Sequence, residues 1–169
     1  MESIALNTEN TAVYQLVEKL KEKGWKIASA ESLTGGFVSA MITSVPGASE
    51  VFECGICSYS NRIKHKLVGV GEDVLEQFTE YSEETAMAMA KGVRELSGAD
   101  IGIATTGIAG PGGGTKEKPV GTVYIGVSTK EKTAAVRLSI DSSQYDRRGI
   151  RLQTAQQAIA LALSAADGI

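Results

Sequence analysis

The chain has 169 residues, a formal charge of −3 at pH 7, 43% hydrophobic residues and 22% charged residues. It is long enough to bury a real core and shorter than chains that split into several, so one domain over 1–169 is expected. No apolar run reaches the roughly 20 residues of a membrane span, the start Met1-Glu2-Ser3-Ile4-Ala5 lacks a signal peptide's basic and apolar regions, and a pI near 5.3 argues against gripping a nucleic-acid backbone. Two cysteines, Cys54 and Cys57, cannot make a disulfide framework, so a cytoplasmic protein with no membrane or nucleic-acid partner is expected. The single histidine, His65, rules out a His-rich metal site, and no metal is expected. A hydrolase built from this composition needs a different proton-handling group.

Thr8 to Lys23 carries Ala12, Val13, Leu16, Val17 and Leu20 at helical spacing, with Asn7 or Thr8 to cap it and Gly24 to stop it. Lys26 to Ala30 is a short strand. A helix is predicted from Thr34 to Ser44, with Phe37, Met41 and Val45 in line, ended by Val45-Pro46-Gly47. Val51 to Tyr59 is the next strand, followed by a short helix containing Ile63 and Leu67. Ser82 caps a longer helix whose inward stripe is Ala86, Met89, Val93 and Leu96, and Gly98 stops it.

Ile101 to Thr105 is a short apolar strand. Strands Val120 to Ser128 and Thr133 to Ile140 are separated only by Thr129 to Lys132, too few residues for a parallel crossover, and so form an antiparallel hairpin. A last helix spans Asp146 to Ala166. Strands one to three alternate with helices and should be parallel. The sum is an α/β fold: three α/β/α layers around a mixed sheet of about five strands. Ligands of such sheets bind beyond the carboxyl ends of the parallel strands, here Ala30-Glu31-Ser32, Tyr59-Ser60-Asn61 and Thr105-Thr106-Gly107.

Each of these ends carries chemistry that also has a plainer reading. In Ala30-Glu31-Ser32-Leu33-Thr34-Gly35-Gly36, a strand enters a helix through hydroxyls and two glycines, a turn whose open N–H groups suit a phosphate or developing oxyanion. Ser32 stands where a nucleophile would, although Ser32 or Thr34 could equally be an N-cap. Lys64, one turn into a helix after Tyr59-Ser60-Asn61, can act as a base if desolvated, or can be an ordinary solvated lysine. The loop Thr106 to Thr115, with five glycines, fits neither the Walker nor the G-x-G-x-x-G pattern. It could cradle an anion with backbone amides or be a flexible surface loop. Cys54 and Cys57, three apart on a strand, point to opposite faces and are expected in the core. His65 is expected on a helix surface. Arg147, Arg148 and Arg151 head the last helix against its dipole, a hint of an anionic ligand.

Three motifs in order, Ala30-Glu31-Ser32-Leu33-Thr34-Gly35-Gly36, Tyr59-Ser60-Asn61 with Lys64, and Thr106-Gly107-Ile108-Ala109-Gly110-Pro111 with Lys118-Pro119-Val120-Gly121-Thr122-Val123, make nearly the whole chain resemble the CinA C-terminal domain family. That resemblance implies an α/β/α fold and cofactor-free hydrolysis of nicotinamide mononucleotide (NMN) to nicotinate mononucleotide and ammonia. It also implies Ser32 as nucleophile, Lys64 as base and Tyr59 as a catalytic neighbour. Substrate contacts would come from Glu31, Thr34, Gly35, Gly36, Asn61, Thr106, Gly107, Gly110 and the arginine Arg147. Many family members add an N-terminal pyrophosphatase-like half, whose activity is not expected here. Two other functions fit the same residues: a pyridine-nucleotide-binding regulatory module without catalysis, and a competence- or damage-linked interaction protein. A homodimer is expected, because small symmetric enzymes often are.

Overall fold

A computed structural model describes residues 11–168. Helix α1 (Thr11–Lys23) turns Val13, Leu16, Val17 and Leu20 inward; its predicted start at Thr8 and the caps Asn7 and Thr8 lie outside the described residues. Strand β1 (Ile27–Glu31) follows, then helix α2 (Phe37–Thr43). This helix begins three residues later than its hydrophobic spacing predicts. Gly35 and Gly36 hold φ of 58° and 101°, left-handed backbone that a right-handed helix cannot include. Residues 33–36 are therefore a turn.

Strand β2 (Phe52–Cys57) leads into α3 (Asn61–Val68), capped by Ser60, whose hydroxyl accepts from the Ile63 N–H. Helix α4 (Glu72–Phe78) has no counterpart among the predicted elements. None of its residues is fully buried, so it has no strong core-facing stripe for periodicity to report. Then come α5 (Glu83–Ser97), capped by Ser82 as predicted, β3 (Ile101–Gly107), β4 (Thr122–Ser128), β5 (Thr133–Ser139) and α6 (Arg147–Asp167), capped by Asp146.

The five strands form one sheet in the order β2-β1-β3-β4-β5. β1 is parallel to both β2 and β3, and β4 is antiparallel to both β3 and β5, the β4–β5 hairpin as its short connection through 129–132 requires. Alternation along β1 divides the core between two faces. Ile27 packs with Ile101, Ile103 and Ile125 beneath α1, α2 and α6. Ala28 and Ala30, with Ala104, pack beneath α5. That second layer sits close because two strand residues lack a side chain: a Cβ on Gly102 or Gly126 would collide with the carbonyl oxygens of Ala90 and Ala86 on α5.

Two expectations about the core need correction. Leu96 is exposed, at 60% of its full accessibility, because it lies in the last turn of α5, next to the helix's end at Ser97. Cys57 is also exposed and Cys54 only half-buried, because β2 is an edge strand with a sheet neighbour on one side only. The two do point to opposite faces, Cys54 toward the α5 layer and Cys57 toward Gly36. Burial raises both thiol pKa values, which suppresses thiolate chemistry.

Beyond the sheet, backbone bonds carry the parallel order into the loops. The Ser32 N–H donates to Thr105 O and the Ser58 N–H to Glu31 O, each at 2.9 Å. The chain segments leaving β1, β2 and β3 are thereby held side by side.

Candidate active site

A cavity of about 360 Å³ opens at this carboxyl edge, where an open α/β sheet places its ligands. Ser32 and Leu33 line it from the end of β1. Tyr59, Ser60, Asn61 and Lys64 enter from the β2–α3 corner, Glu80 and Tyr81 from the segment before α5, residues 107–110, 112 and 113 from the glycine loop, and Arg147 from α6.

At its base Lys64 Nζ lies 3.1 Å from Ser32 Oγ. Lys64 is 1% exposed, the largest fully buried side chain among the described residues. Its amine otherwise reaches only the Tyr59 carbonyl, at 3.4 Å. An ammonium in such a place has lost water and gained few acceptors, and burial accordingly pulls its pKa below 10.5. Glu80 opposes the shift with a smaller upward pull. A lysine with a depressed pKa can exist as the neutral amine that accepts a proton from a serine.

Glu31, Thr34, Gly35 and Gly36 of the first motif do not line the cavity. Glu31 is 1% exposed and points to the opposite side of β1 from Ala30. Its carboxylate accepts from the N–H groups of Gly36, Val38 and Ser39 and from the Ser39 hydroxyl, at 2.7–3.1 Å. The helix N-terminus that the sequence offers to an external anion is thus occupied by the protein's own carboxylate. The Thr34 hydroxyl pairs with that of Thr105 at 2.6 Å. Gly35 gives room to Arg151, whose guanidinium would lie 3.0 Å from a Cβ there and donates to Leu33 O and Thr34 O. In the third motif, Thr106 donates to Glu80 O at 2.6 Å, while Gly107 and Gly110 do line the cavity.

The arginines at the head of α6 separate by role. Arg151 braces the turn after Ser32 and lies over the Phe37 ring. Arg147 instead spans the cavity wall, donating to Gly110 O at 2.6 Å and to the Tyr59 hydroxyl at 2.9 Å. It ties the glycine loop to the β2–α3 corner. His65 is exposed on α3, its Nδ1 2.8 Å from Val70 O. Among the described residues no three His, Cys, Asp or Glu side chains gather closely enough to hold a metal ion, and no helix is long and apolar enough to cross a membrane.

Glu80 and Tyr81 are cavity residues that no motif announces. They sit on a strap whose anchors include Thr106 to Glu80 O, Lys118 Nζ to Tyr81 O, and the Thr85 hydroxyl to Thr79 O. The one available signal is Ser82, whose helix-capping role marks the residues before it as loop, where binding residues concentrate.

Fold and cavity define an α/β layered protein with a desolvated lysine against a serine at the carboxyl ends of its parallel strands. The model of the CinA C-terminal domain matches residues 9–166, and the chain belongs to that family. It superposes on the crystal structure of the competence/damage inducible protein CihA from Agrobacterium tumefaciens with a TM-score of 0.90, at 32% identity over 98% of this chain and 99% of that one. It is 44% identical over 144 residues to a protein from Enterobacter agglomerans named nicotinamide-nucleotide amidohydrolase PncC, covering 85% of this chain and 87% of that protein. A CinA-like protein from Synechocystis sp. is 45% identical over 151 residues, 89% of this chain but 36% of that protein. The chain spans about a third of the length of several such curated relatives.

Proposed function

We propose that this chain hydrolyses the carboxamide of nicotinamide mononucleotide, releasing ammonia and nicotinate mononucleotide. The observation that carries the proposal is the buried Lys64 amine 3.1 Å from Ser32 Oγ at the base of the cavity. The name of the E. agglomerans relative supports the substrate.

Neutral Lys64 accepts the Ser32 proton as Oγ attacks the amide carbon. Gly36 N–H is engaged by Glu31 and Gly35 N–H by Ser32 O, so these two glycines do not hold the oxyanion, and the glycine loop lining the same cavity takes that role. As the C–N bond breaks, Lys64 returns the proton to nitrogen, which leaves as ammonia. Water then attacks the acyl-serine and gives its proton to Lys64; as the C–O bond to Ser32 breaks, Lys64 passes that proton to Ser32 Oγ, and the acid product loses its own proton to solvent and departs as the carboxylate. Tyr59, its hydroxyl fixed by Arg147, borders the leaving group and shapes its exit. Arg147 and the loop residues Gly112 and Gly113 offer the phosphate a cation and backbone at the cavity wall.

The test is ammonia release from NMN by the unaltered chain and by Ser32→Ala and Lys64→Ala. Both substitutions should abolish it while leaving NMN binding measurable by calorimetry. Release that survives in either variant would rule out the serine–lysine pair. Binding without release by the unaltered chain would leave the regulatory-module reading in its place.

A further inference from the structure

Glu80 is the sole carboxylate lining the cavity among the described residues. It is held there rather than trailing in solvent. Its own carbonyl and that of Tyr81 are anchored by Thr106 and Lys118, and Thr79 ahead of it has φ 68°, a left-handed conformation uncommon for a residue with a side chain. Its side chain is half-buried, with Asn61 Nδ2 3.4 Å from Oε2.

The nearby cations are committed elsewhere. Lys64 faces Ser32, and Arg147 donates to Gly110 O and the Tyr59 hydroxyl. Among the described residues Glu80 has no ion-pair partner. Two aromatic rings share its wall of the cavity: Tyr59, largely exposed, and Tyr81, half-buried. Burial, and after it the charge of Glu80, pushes the Tyr81 phenol up, so this ring stays neutral. A fixed carboxylate beside aromatic rings is the chemistry that recognises an aromatic cation.

We infer that Glu80, together with the Tyr59 and Tyr81 rings, is a specificity-determining element that selects a substrate whose carboxamide-bearing ring is itself positively charged. The N-ribosylated pyridinium of a nicotinamide nucleotide is such a ring; a neutral aromatic carboxamide is not. This inference rests on the amidohydrolase reading above. It adds to it a reason why the charge-bearing nucleotide, rather than any aromatic amide of the same shape, occupies the site.

The test compares NMN with benzamide riboside 5′-monophosphate, in which an uncharged benzene ring replaces the pyridinium. In Glu80→Gln the ratio of kcat/KM for NMN to that for the neutral nucleotide should fall about ten-fold from its value in the unaltered chain, the effect of losing one half-screened charge contact. An equal change for both nucleotides would overturn the inference and leave Glu80 acting only through Lys64. Calorimetric binding of both nucleotides to Ser32→Ala and to Ser32→Ala with Glu80→Gln reads the same preference without turnover. A Kd ratio unmoved by Glu80→Gln overturns the inference there too. A preference lost in binding, where the unaltered chain releases no ammonia from NMN, supports the charge recognition and rejects the amidohydrolase reading alone.

Discussion

Glu31 and Lys64 are both 1% exposed and stand on either side of the same serine, yet they have opposite surroundings. Four donors converge on the Glu31 carboxylate. The Lys64 amine has one hydroxyl and one distant carbonyl. A buried charge with all its hydrogen bonds made is part of the scaffold. A buried amine with few acceptors gives up its proton more readily than one in water, which fits it for proton transfer. The same depth of burial therefore yields a helix cap in one case and a candidate base in the other.

The comparison can be broken most decisively at Lys64. Lys64→Ala should lower kcat for NMN hydrolysis by about 10⁴-fold or more, read as ammonia release, whereas Glu31 substitutions should act on stability first. Glu31→Ala strips the cap from α2 and leaves buried N–H groups unpaired. It should cost about 3 kcal/mol in urea denaturation, and a loss under 1 kcal/mol would remove the contrast.

A third measurement follows from the direction of the Lys64 shift. Its pKa lies below 10.5, and the form that the proposed mechanism uses is the neutral one. The kcat/KM for NMN should therefore climb about ten-fold per pH unit on the acid side and level off before pH 10.5. For stability the sign is fixed by the unfolded amine titrating higher. The burial penalty is fully present below the folded pKa and relaxes as pH rises from there toward the unfolded value. Lys64→Met keeps the volume and discards the amine, so it should gain about 1 kcal/mol of stability at neutral pH while losing activity. That gain should shrink in alkaline buffer.

Much of this arrangement is legible in the residues. The parallel strands and the hairpin follow from periodicity and from loop length, while the pairing of Ser32 with Lys64 is what the family resemblance of three ordered motifs implies. What is not legible depends on side-chain direction. Gly35-Gly36 beside a serine has the pattern of an external anion site, but strand alternation turns Glu31 to the α2 side of the sheet, where it fills that position itself. Glu80 lies in Phe78-Thr79-Glu80-Tyr81, a stretch with no glycine and outside all three motifs. It reaches the cavity only because Thr106 and Lys118, distant in sequence, pull the strap against β3. Cys57 reads as core from its apolar strand and is exposed because strand order, which sequence does not state, puts β2 at the edge.

That edge position has a consequence for how the molecule fails. The Ser32–Lys64 contact joins residues 32 apart, and the corner carrying Lys64 is fastened to the sheet through β2, which pairs with β1 alone. Edge strands open before central ones, at a free energy below that of global unfolding. Catalytic competence therefore reports on the looseness of one outer strand. In rising denaturant or temperature, turnover should fade while far-UV helicity is intact, and the amides of β2 should exchange with deuterium ahead of those in β1 and β3.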